Sequence, residues 1–172
     1  RNTWSWGYKS PHPELQVDGG AITTNHRHIG KRWWYARSDG QDMGFLFTEN
    51  ETNTERLFGQ PNAQPYVKDA FHKAVIHGHT NATNPEKIGT KAAAHFQKVI
   101  QPHETFVVQI RFSNVEQQAP FASFDETFSH RLKEADEFYA AVQDNNLSDD
   151  ERHVQRQAFA GLLAQKRDIP QP

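Results

Sequence analysis

The hydrophobic period of this chain changes for good near residue 120, and that change limits what it can fold into. Before it, in TFVVQIRFS (105–113), Phe106, Val108, Ile110 and Phe112 alternate with Val107, Gln109 and Arg111. A period of two sets alternate side chains on one face of a β-strand. After it, Phe124, Phe128, Leu132, Ala135, Phe138 with Tyr139, and Val142 recur at helical spacing. Ser123 with Glu126 (S-F-D-E) forms a capping box at the head of that stretch. Ser148 with Glu151 (S-D-D-E) heads a second helix through Val154, Ala158, Leu162 and Gln165, and Pro170 and Pro172 stop any continuation. The expected class is therefore α+β, an antiparallel β-rich body followed by two C-terminal α-helices.

Within the body, KRWWYAR (31–37) and MGFLFTE (43–49) are aromatic, strand-like runs separated by the turn-forming SDGQD. KAAAHFQKVI (91–100) leads through QPHE into TFVVQIRFS, with Pro102 in the turn, and this pair is expected to form an antiparallel hairpin. A polar loop and a short helix near 65–76, with Pro65 in its first turn, lie between the two pairs. The core available to these elements is thin. Hydrophobic residues make up 35% of 172, although aromatics at 12% bury large areas. Such a core suits a piece that packs against more protein. The opening RNTWSWG, without a methionine or a polar lead-in, carries the same expectation.

Charge and composition exclude several classes. The net charge of −2 is not the basic excess of a nucleic-acid domain. No apolar run approaches the roughly 20 residues that cross a membrane. Without cysteine there can be no disulfide, thiolate zinc site or cysteine nucleophile. Phosphate-binding glycine loops and the G-x-S-x-G elbow are also missing, so no cofactor is expected.

Several stretches taken together resemble glycoside hydrolase family 63, including its mannosylglycerate-hydrolase-like branch. They are RNTWSWG (1–7), LFTENETNTERLFG (46–59), PYVKDAFHKAVIHG (65–78), GTKAAAHF (89–96), EADEFYAAV (134–142) and LSDDERHVQRQAFAGLLAQK (147–166). They fall in order and span essentially the whole chain. The resemblance implies an N-terminal β-sandwich, a linker helix and an (α/α)6 barrel. On that basis residues 1–120 are a partial antiparallel β-sandwich, 121–145 the linker helix, and 146–172 the first helix of a truncated barrel. The family's general acid and base lie on barrel loops downstream, so no residue here inherits a catalytic role. The parent would hydrolyse α-glucosides or α-mannosides by inversion, and the missing barrel would be this chain's partner. QKRDIPQP departs from the family's continuation into barrel sequence.

The residues leave three candidate surfaces. Flat aromatic rings with amides, carboxylates and arginine suit sugars. Trp4, Trp6, Glu49, Asn50, Glu51, Asn53, Arg56 and Asn62 could form such a carbohydrate-binding surface, or a rim that docks on the barrel. Trp33 and Trp34 point to opposite faces of one strand, at least one of them into the core. The carboxylates do not form an acid–base pair. Glu49 and Glu51 share one side of a run, whereas inverting glycosidases flank the sugar from opposite sides. Asp125, Glu126, Asp149, Asp150 and Glu151 sit where helix dipoles favour negative charge. His26 with His28, and His77 with His79, are H-x-H pairs that would need His72 or Asp69 as a third ligand, and they are weak metal candidates. Asn50, Asn81 and Asn146 head glycosylation sequons, a pattern common by chance. The alternative to an enzyme fragment is a stand-alone lectin-like module that closes its own sheets. A fragment would show an open strand or apolar face, covered by the parent or by self-association.

Overall fold

A computed structural model describes residues 12–26, 28–38 and 43–165. Its antiparallel sheets and two C-terminal helices give the α+β class that the change of period predicts. One compact unit ends at Phe121 and a second begins at Ala122.

The first unit is built on two sheets. The larger contains β1 (Leu15–Asp18), β2 (Ala21–His26), β3 (Gly30–Ser38), β5 (Ile88–Gly89) and β7 (Val108–Ser113), in the order β5-β1-β2-β3-β7. The smaller pairs β4 (Gly44–Thr48) with β6 (Lys91–His95). Gly19 and Gly20, at φ of 55° and 81°, make the two-residue turn from β1 to β2. A tight hairpin needs positive φ at both central positions, which glycine adopts without strain.

The expected hairpin between 91–100 and 105–113 does not form. Lys91–His95 pairs with β4, and Val108–Ser113 pairs with β3 in the other sheet. The runs at 31–37 and 43–49 also belong to different sheets. Residues 96–107 form a long loop instead. It turns at Gln101–Glu104, where Glu104 N donates to the Gln101 carbonyl at 3.0 Å and His103 takes φ 65°. Its arms meet through side chains: the Phe96 and Phe106 rings are 6.4 Å apart, and Lys98 pairs with Glu104 at 2.6 Å. The chain doubles back where Pro102 predicts, but each arm finds its backbone partner far away in sequence.

On one face of the larger sheet, Ala21, Trp33 and Tyr35 form a core cluster with Phe121 packed against it. The segment after β7 is tied over this face. Gln117 N donates to the Tyr35 hydroxyl at 2.8 Å, Arg111 donates to the Pro120 carbonyl at 2.9 Å, and the Arg37 guanidinium lies over the Phe121 ring. Trp34, on the opposite face, is half-buried. In the smaller sheet Phe47 is fully buried. The sheets touch where Gly89 of β5 passes Thr48 of β4; a Cβ on Gly89 would lie 2.5 Å from the Thr48 carbonyl oxygen.

Two short helices follow β4. Asn53 caps α1 (Thr54–Phe58), which Gly59 ends in the left-handed conformation. Helix α2 (Ala70–His77) starts five residues after Pro65, at Ala70, and Gly78 ends it. Residues 65–69 are spent on turns that carry Val67 into the core.

The second unit contains α3 (Phe124–Val142) and α4 (Asp149–Gln165). Only one of the two capping boxes closes. At α4, Ser148 N and Oγ both donate to Glu151 Oε2, at 2.8 and 2.7 Å. These bonds hold the Glu151 carboxyl below its ordinary value. At α3 the Ser123 side chain makes no capping bond. The helices meet through Arg156, which bonds Asp136 at 2.6 Å and lies over Tyr139, and through Gln143, which donates to the Arg152 carbonyl. The expected apolar stripe is turned outward: Phe128, Leu132, Phe138 and Val142 are exposed, and so are Val154, Leu162 and Leu163.

Candidate functional site

The chain between β4 and α2 supplies most of the residues singled out above, and the fold gathers them around Asn53. Thr48 ends β4 deep in the interior, so the polar run that follows starts from a buried anchor. Glu49 N donates to the Tyr66 carbonyl at 2.6 Å, and Lys68 N donates to the Glu51 carbonyl at 3.0 Å. These bonds lay residues 49–51 alongside 66–68. Lys68 Nζ reaches Thr52 Oγ1 at 3.1 Å, and Lys91 Nζ reaches the Lys68 carbonyl at 2.8 Å.

Asn53 is 7% exposed and its amide is fully engaged. Its Oδ1 accepts from Arg56 N at 3.0 Å and from Asn62 Nδ2 at 3.1 Å. Its Nδ2 donates to both Asp69 carboxylate oxygens, at 3.1 and 3.2 Å. Asn62 Oδ1 caps the same helix start, accepting from Thr54 N at 2.8 Å and Glu55 N at 3.2 Å. Arg56 pairs with Asp69 at 3.1 Å while two-thirds of its side chain stays exposed. Burial of Asp69 alone would raise its carboxyl, but the bonds from Arg56 and Asn53 outweigh it and the net value is lowered. An acid held ionised this way has no proton to give at neutral pH.

The candidates therefore divide. Asn53 and Asn62 are oriented inward and hold the start of α1 and its approach to α2. Glu49 accepts from Thr90 Oγ1 at 2.7 Å, and Asn50 N donates to that same hydroxyl at 2.8 Å. Asn50 and Glu51 are half-buried, and Arg56 presents its guanidinium outward beside the exposed Glu55. Trp4 and Trp6 lie outside the described residues. Sequence reasoning passed over α1, although asparagine at 53, glutamate two residues on and glycine at 59 are its start and stop signals. It also passed over Asp69 as the acceptor at the centre of the network.

The histidine pairs are close, with ring centroids 5.6 Å apart for His26 and His28 and 6.0 Å for His77 and His79. His28 N donates to His26 Nδ1 at 3.2 Å. His77 ends α2 and His79 lies just past Gly78, both exposed. Among the described residues, no three His, Asp or Glu side chains are placed to hold one metal ion. No helix of the described residues is long and apolar enough to cross a membrane.

The chain is 42% identical, over 139 residues, to the uncharacterized protein YMR196W of Saccharomyces cerevisiae. The match covers 73% of this chain and 13% of the yeast protein, so the chain corresponds to a small part of that relative's length. No family profile and no solved structure matches the chain.

Proposed function

We propose that this chain is the non-catalytic sheet-and-linker portion of a larger carbohydrate-active glycoside hydrolase. One observation carries the dependence on more protein: no described side chain of the second unit is fully buried. Phe128 is 62% exposed and Val154 63%, and helices that expose such residues gain their stability from packing elsewhere. A relative of which the match covers 13% is consistent with a long parent chain. The glycosidase identity rests on the family 63 resemblance. In that parent, α3 is the linker, α4 opens the catalytic helical domain, and the sheets are scaffold. Arg56, Glu55, Asn50 and Glu51 lie at the rim, where guanidinium, carboxylate and amide groups meet sugar hydroxyls. Asn53 and Asn62 keep that rim in shape.

The parent would cleave α-linked glucosides or mannosides with inversion, using two carboxyl groups on opposite sides of the sugar. The rim offers no such pair, so the 172-residue chain alone is expected to be inactive. The test is to isolate the full-length protein from its source and follow α-glucosides and α-mannosides by NMR. Release of the β-anomer by the whole protein, and nothing from the 172-residue chain, is the expected result. A whole protein that leaves every such substrate intact refutes the enzyme. Sugar binding by the short chain, without hydrolysis by the long one, would replace it with a lectin-like module.

A further inference from the structure

Strand β7 is, among the described residues, an edge strand, and its one charged residue, Arg111, is turned to the half-buried side and donates to the Pro120 carbonyl. Among the described residues no strand lies on its outer side. Natural sheet edges are usually blunted by proline, lysine, a bulge or extreme shortness. Val108–Ser113 has no proline or lysine, and it pairs with β3 without a bulge. The opposite edge, β5, is only two residues long. The β7 side chains are also inverted relative to a core strand. Val108, Ile110 and Phe112 are 36%, 53% and 59% exposed, while Gln109, Arg111 and Ser113 face the half-buried side. Phe112 lies beside the half-buried Trp34 and Ile110 beside the buried Ala36, so the exposed apolar row is confined to β7 itself.

We infer that β7 pairs antiparallel with β7 of a second copy of this chain, joining two five-stranded sheets across a two-fold axis at Ile110. The sequence selects both the partner and the register. A two-fold axis normal to the sheet keeps each residue on its own face, so only registers that match like faces are allowed. Centring on Ile110 sets Ile110 against Ile110, Val108 against Phe112 and Gln109 against Arg111. The outward residues then form one unbroken apolar row across the junction. On the other face each arginine meets a neutral amide. Moving the centre to Arg111 would set arginine against arginine, and like charges directly opposite are destabilising. Moving it to Gln109 shortens the paired segment. The strand is thus complementary to itself in one register. This inference concerns the sheet edge and does not depend on the glycosidase reading, because it is read from mass and cross-linking, not from hydrolysis.

The test uses the 172-residue chain. Sedimentation equilibrium should give twice the 19.8 kDa chain mass, and Ile110→Lys, which sets two cations face to face at an exposed position, should halve it. Because the chain has no cysteine, single cysteines report the register cleanly. Opposed Cα atoms in an antiparallel pair are about 4.5–5.5 Å apart, within disulfide range. Ile110→Cys should therefore cross-link to a covalent dimer under mild oxidation. Phe112→Cys should not, because its symmetry mate is displaced by four residues, about 13 Å along the strand. A monomeric wild type overturns the inference. So does an oligomer that Ile110→Lys leaves intact, or equal cross-linking of the two cysteine variants.

Discussion

Replacing Asn53 with alanine tests whether the polar loop is organised from within. The substitution removes the bond that caps α1, worth about 1 kcal/mol. It also strips Asp69 and Asn62 of the partner that Asn53 gave each, at about 1 kcal/mol apiece for part-buried groups. The sum is about 3 kcal/mol, which for a unit of this size lowers Tm by about 10 °C. Thermal unfolding by circular dichroism at neutral pH reads it directly. Asn53→Asp sharpens the test. It keeps the capping oxygen but sets a carboxylate where Nδ2 donates to Asp69. Two carboxylates in contact raise the value at which one of them takes up a proton. That variant should therefore be destabilised at pH 7 and should recover as pH falls and one proton bridges the pair. A loss below about 0.5 kcal/mol for Asn53→Ala would refute the reasoning, because changes that small are typical of surface positions away from such networks. Asn53 would then be free to serve a ligand.

Three further outcomes follow from the same contacts. Gly89→Ala drives a methyl into the Thr48 backbone, 2.5 Å from its carbonyl oxygen, and should cost about 1–3 kcal/mol in denaturant unfolding; an unchanged midpoint would mean that the sheets do not approach there. Ser148→Ala should lower the stability of the helical unit by about 1 kcal/mol while Ser123→Ala does far less, because only Ser148 closes its capping box; equal losses in calorimetry would contradict that assignment. Asp69 is held below its ordinary value of 3.8, so its stabilising effect is present above that pH and is lost as pH falls through the lower folded value; an acid titration of stability should show this fall, and Asp69→Asn should flatten it.

The sequence features that could be read directly are those closed by neighbours in the chain. The Ser148 box, the helices at 124–142 and 149–165, and the turn at Pro102 all rest on groups within a few residues of one another. Asn53 and Gly59 were equally local signals, masked by a polar loop that also suits sugars. The opposite placement of Trp33 and Trp34 follows from strand geometry alone. Ser123 shows the limit of local reading. The S-F-D-E pattern is present, yet the Ser123 side chain bonds no backbone amide of the helix.

What the sequence determined by itself was the class of the longer segments: strands within 31–37, 43–49, 91–100 and 105–113, two C-terminal helices, and the change of period between them, while β1, β2, β5 and α1 emerged only in the folded chain. The tertiary structure decided how the strands pair and which side of each is covered. A helix satisfies its backbone four residues away, so its signal is written locally. A strand takes its bonds from any strand of suitable length, so Lys91–His95 joined Gly44–Thr48 and Val108–Ser113 joined Gly30–Ser38, in place of the hairpin between neighbours. Alternation likewise states that Val108, Ile110 and Phe112 share a face but not whether that face is inside. Here one face took Trp33, Tyr35 and Phe121 as its core cluster, while the other buries Ile22 and Ala36 on the inner strands and leaves Val108, Ile110 and Phe112 exposed on β7.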